Sequence, residues 1–228
     1  MSWLWANLEL VLGLAADHAR LSVIPIVVGF MACIPLGWLA NRYRAARAVL
    51  LTLGGILFTI PSLALFVTLP ALLGTKILDE RNVIVALSLY AVAVMVRGAA
   101  DAFASVSKDV IGSSTALGFS ALSRFWTVEF PLAGPVLLAS LRVVSVSTVS
   151  LLSVGSLIGV QSLGYLFVNG YQRAFPEEIL IGIVFTVLVA VVFDTILVVA
   201  GRLLMPWTLA LPARARRSVT AVAMDVTQ

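Results

Sequence analysis

Asp194 and Arg142 are charged side chains set inside apolar runs, and their chemistry is charge recognition rather than bond making. Two uses fit them. They neutralise each other and clamp two helices, or the carboxylate attracts a cation. Arg97 and Asp101 stand four residues apart, the spacing of an ion pair on one helix face, and read as a structural pair. Nothing supplies a nucleophile with a base: the one cysteine, Cys33, lies in an apolar run, and the one histidine, His18, stands outside any cluster. The same scarcity excludes a His or Cys metal site. There is no Gly-x-x-x-x-Gly-Lys-Ser/Thr loop and no carboxylate cluster suited to Mg²⁺. The chain is therefore expected to be no enzyme and to carry no cofactor.

Thr59-Ile60-Pro61-Ser62 offers polar groups of another kind. Proline inside a span removes a backbone hydrogen bond and frees a carbonyl, which then needs protein, a hydroxyl or water. Thr59, Pro61 and Ser62 read either as a structural kink or as part of a solute path. The run Ser140, Ser145, Ser147, Thr148, Ser150, Ser153, Gly155 and Ser156 is open to the same two uses, close helix packing or path lining.

The elements that position these residues must be membrane spans. Hydrophobic residues make up 61% of the chain and charged residues 11%, against roughly 25% charged in a soluble domain, so a soluble enzyme is excluded. Mean hydropathy is +1.09, and the net charge of +4 comes from Lys and Arg at the ends of apolar runs. That placement argues for lipid as partner and against nucleic acid. Runs near the length that crosses hydrocarbon predict about five spans, at 21–40, 49–73, 83–104, 131–160 and 179–200. Residues 1–20, with Trp3 and Trp5, predict a short interfacial helix outside the first span, and no basic n-region marks a cleaved signal peptide.

Orientation follows the Lys and Arg bias of short links. Arg42, Arg44 and Arg47 face no acid, whereas Lys76 and Arg81 are cancelled by Asp79 and Glu80. The tail, 202–228, carries Arg202, Arg214, Arg216 and Arg217 against Asp225. The N-terminus is then expected outside and the C-terminus in the cytoplasm, with residues 105–130 as the long cytoplasmic connection. Val106, Val110, Ala116 and Leu117, then Ala121, Leu122, Phe125, Trp126 and Val128, recur at helical spacing. They predict two short helices joined at Gly118. Phe125 and Trp126 would be free to enter a groove on another protein, with a membrane-surface loop as the alternative.

Gly118 followed by Glu129-Phe-Pro131-Leu-Ala-Gly-Pro135 resembles the cytoplasmic loop of bacterial ABC-importer permeases, with the Gly118 to Pro131 spacing intact. Thr59-Ile-Pro-Ser-Leu-Ala-Leu65, Ile158-Gly159 before Gly164, Arg142 and Asp194 resemble the osmoprotectant branch, the permeases for glycine betaine, carnitine and choline. The likeness covers roughly residues 21–200. It implies an all-α polytopic protein of the type I importer permease fold in the bacterial cytoplasmic membrane. It further implies a separate ATPase that holds the ATP and Mg²⁺, a second permease chain and an extracytoplasmic binding protein. By the same resemblance, Gly112, Ser113, Ser114, Gly118, Phe125, Trp126 and Pro131 form the ATPase-coupling loop. Gly112, Ser113 and Ser114 stand where the family has Glu-Ala-Ala, so the acidic docking residue is replaced.

Overall fold

The computed structural model describes residues 2–208, so Arg214, Arg216, Arg217 and the rest of the tail beyond 208 lie outside the described residues. Among the described residues all regular structure is helical. Four helical segments are long and apolar enough to cross a membrane, and a bent helix pair makes a fifth if it is counted as one span.

After a single turn, α1 (Ser2–Ala6), the first span α2 runs unbroken over Leu8–Arg42. Residues 8–20 are thus the first turns of that span and not a separate interfacial helix. Tertiary packing explains the difference, because Val11 and Leu14 are buried against Val149, Leu163 and Leu166. His18 is also fully buried, its Nε2 donating to the Val149 carbonyl at 2.9 Å and its Nδ1 accepting the Leu163 N–H at 3.3 Å. These bonds fix a neutral tautomer, which lets a polar side chain sit inside the bundle.

The expected single span over 49–73 is instead α3 (Arg44–Thr59) and α4 (Ser62–Leu73), bent by 100°. Ile60 takes φ −66° and ψ 127°, the extended backbone that a following proline imposes. Asp79 caps the next span, α5 (Glu80–Ala104), by accepting the Arg81 N–H at 2.9 Å. α5 is the central helix, packed on α2, α3, α4 and the later span over Phe130–Leu152. Gly29 and Gly37 of α2 meet Ala91 and Ala99 of α5, and a Cβ at Gly37 would lie 2.7 Å from the Ala99 carbonyl carbon. Small residues at this seam let the two backbones approach, the usual means of packing spans in lipid.

Beyond α6 (Lys108–Ala116) the chain turns at Gly118 and does not form an isolated second short helix. α7 (Ala121–Arg124) passes through a π-turn (Phe125–Glu129) straight into α8 (Phe130–Leu152). The span expected to reach 160 loses α-geometry at Leu152 and finishes as a 3₁₀ turn, Ser153–Ile158. A short α9 (Gly164–Gln172) then leads to the last span, α10 (Pro176–Leu204).

Candidate functional site: a coupling turn and a polar face

The turn between α6 and α7 is assembled from local capping. The Ser107 hydroxyl accepts the Asp109 N–H at the start of α6, and the Ser120 hydroxyl accepts the Ser123 N–H at the start of α7. Between them Gly118 adopts φ +87°, a left-handed conformation that suits glycine. Gly112 and Ser113 are exposed, while Ser114 is buried with its hydroxyl donating to the Ile111 carbonyl at 2.9 Å. Pro131 follows directly on the π-turn inside a helix that continues from α7 into α8, so its missing N–H interrupts the backbone ladder at that point.

Phe125 does not stand free for a partner. It is 9% exposed, with ring centroids of Trp38 and Phe103 each 5.7 Å away and that of Phe130 at 6.1 Å. The π-turn adds a residue to the helical repeat and swings Phe125 inward against α2 and α5. Trp126 remains exposed, and so do Leu117 at 78% and Leu122 at 71%, two residues absent from the expected site. Their signal was present in the sequence, as bare leucines on either side of Gly118 in a polar stretch.

A second group missed by the sequence reading locks this turn. Glu129, 4% exposed, accepts the Trp38 indole N–H at 3.0 Å and the Arg124 Nε–H at 2.8 Å, and Arg124 donates on to the Thr115 hydroxyl at 2.6 Å. One chain of bonds therefore ties α2, the π-turn and the end of α6. Gly118 itself faces open space, so a larger residue there meets backbone strain alone. Gly118→Val is expected to leave membrane accumulation intact and lower solute uptake about tenfold, since a β-branched residue in this conformation costs about 1–3 kcal/mol. Uptake normalised to membrane level checks this.

The second feature is the set of charged side chains that α3, α5, α8 and α10 leave exposed within their apolar sequences. Arg142 and Asp194 join α8 to α10 through a two-pronged fork whose Nη2–Oδ2 arm is 2.8 Å. The side chains remain 44% and 31% exposed, so the fork sits on an outer face of the chain. Arg97 and Asp101 do not pair. Asp101 takes Arg47 at 2.6 Å, because the bend after α2 brings the first turn of α3 beside the end of α5. Arg97 is left exposed without an ion-pair partner among the described residues.

At the α3–α4 break, Thr59 donates to the Ile56 carbonyl at 2.7 Å. The Ile60 carbonyl is taken by the hydroxyl of Tyr90, a residue that the sequence reading did not assign to this break. Ser62 is half-buried and Pro61 exposed. The break is thus held by two hydroxyls from different helices. Asp194, the fourth residue expected on the path, has its carboxylate engaged with Arg142 and makes no hydrogen bond to Thr59 or Ser62.

Residues 33–209 match the family model described as "Binding-protein-dependent transport system inner membrane component". The chain is 32% identical over 193 residues to the choline transport system permease protein OpuBB of Bacillus subtilis, covering 83% of this chain and 86% of that one. It is 30% identical over 209 residues to the glycine betaine/carnitine/choline transport system permease protein OpuCB of the same organism, covering 90% and 94%. In fold it matches a chain of the methionine ABC transporter MetNI in an inward-facing conformation, with a TM-score of 0.69 and 20% identity over 87% of this chain and 96% of that chain. The helical architecture and these likenesses agree: the chain belongs to the binding-protein-dependent transport system inner membrane component family, and it is a multi-pass permease subunit of an ABC importer rather than an enzyme.

Proposed function

We propose that this permease carries small quaternary ammonium osmoprotectants, of the glycine betaine, carnitine and choline class, across the bacterial cytoplasmic membrane. The observation that carries the reading is likeness over more than four fifths of the chain to permeases named for these solutes. Its partners are ATPase subunits, which hold ATP and Mg²⁺, a second permease chain and an extracytoplasmic binding protein. The exposed Leu117, Leu122 and Trp126 around Gly118 meet the ATPase, and the buried Arg124–Glu129 pair transmits its movement to α2 and α8. Closure of the ATPases then shifts the spans between outward-open and inward-open packings.

The orientation belongs to the same proposal, with the N-terminus outside and the C-terminus cytoplasmic. Clustering of Arg42, Arg44 and Arg47 at the α6–α7 end of the bundle supports it, since Arg47 reaches Asp101 just before α6. The polar face of α5, α8 and α10 turns toward the second permease chain and the solute path, where charged groups are covered or wet. Reconstitution with the neighbouring ATPase, permease and binding protein tests the whole. Glycine betaine-loaded binding protein should raise ATP turnover several-fold, and a complex that neither forms nor responds to it would reject the reading.

A further inference from the structure

Arg97 lies about 10 Å along α5 from the Ala104 end, one turn deeper than Asp101. Its nearest neighbours in charge are already spent, because Asp101 neutralises Arg47 at 2.6 Å. A guanidinium without a counter-ion at this depth is costly against lipid, and such residues in spans mark polar pathways. Here it faces a groove of about 210 Å³ between α3 and α5, whose other walls include Gly54, Gly55, Phe58 and Ala93. The glycines and the alanine leave the floor without bulk. Phe58 brings an aromatic ring to the same groove, held edge-on by Tyr90 at a centroid distance of 6.0 Å. The groove has room for on the order of seven water volumes at about 30 Å³ each, so it accepts a small solute.

We propose that this groove is a solute subsite of the translocation path that recognises zwitterions, with Arg97 holding the carboxylate and Phe58 facing the quaternary ammonium group. Arg97 supplies the planar fork that matches a carboxylate, and an aromatic ring attracts a quaternary ammonium. The site therefore separates glycine betaine and carnitine, which carry a carboxylate, from choline, which does not. The inference rests on the osmoprotectant reading above and narrows it to a substrate class.

The test uses the complete transporter in cells stripped of other osmolyte uptake, with initial rates of labelled glycine betaine and labelled choline normalised to complex in the membrane. Arg97→Gln should lower the maximal glycine betaine rate by about tenfold or more, the effect of losing a charge-assisted bond, and change choline uptake by less than about twofold. Arg97→Lys, which keeps the charge and loses the fork, should fall between wild type and Arg97→Gln for glycine betaine alone. If Arg97→Gln fails to accumulate, the lysine variant is read in the same way. Equal loss of both solutes, unchanged uptake of both, or a wild-type complex that carries choline but not glycine betaine overturns the subsite. A wild-type complex that carries neither solute rejects the osmoprotectant reading itself, and the subsite with it.

Discussion

Glu129→Ala is expected to abolish transport. The carboxylate is 4% exposed and holds both the Trp38 indole and Arg124, so its loss strands a mostly buried guanidinium and an indole N–H together. Removing one partner of a buried pair costs about 3–5 kcal/mol, enough to release the π-turn from α2. Uptake should fall below about a tenth of wild type, with ATP turnover uncoupled from solute or the ATPase lost on purification. Glu129→Gln keeps an acceptor for Trp38 and should lose less. Full uptake by the alanine variant would show that the pair does not set the coupling turn.

Asp194→Asn is expected to act earlier, on the amount of protein. The fork to Arg142 neutralises two charges at membrane depth, and the asparagine variant leaves the guanidinium alone on that face. Membrane accumulation should drop about fivefold, and the double variant Arg142→Leu/Asp194→Leu should recover most of it, since a matched apolar pair carries no uncompensated charge. Immunoblots of membrane fractions measure both. Normal accumulation of Asp194→Asn with weakened uptake would move the carboxylate from helix clamp to solute path.

The spans with clean apolar runs were legible to within a few residues: α5 begins at Glu80 against an expected 83, and α10 covers Pro176–Leu204 against 179–200. Where sequence reading stopped short, a distant partner decides the structure. Asp17, His18 and Arg20 look like the polar edge of a span, yet the Val149 carbonyl and Leu163 N–H carry His18 into the bundle and α2 continues through it. Pro61 announces a break, but nothing local gives its 100° angle, at which Tyr90 takes the Ile60 carbonyl. Helical periodicity marked Phe125 and Trp126 as available together, but consecutive residues point about 100° apart around a helix, and packing on Trp38 and Phe103 buries Phe125 while Trp126 stays exposed. The i, i+4 spacing of Arg97 and Asp101 was a sound local expectation that a third residue, Arg47, overrode from another helix.

Accumulation of labelled glycine betaine at high osmolarity tests the central claim most directly, in cells lacking their own osmolyte uptake and expressing this chain with its neighbouring transporter subunits. ATP-dependent accumulation that vanishes when this chain alone is omitted is the predicted result. An assembled complex that hydrolyses ATP but accumulates neither glycine betaine, carnitine nor choline would contradict the claim and leave an importer for a different solute.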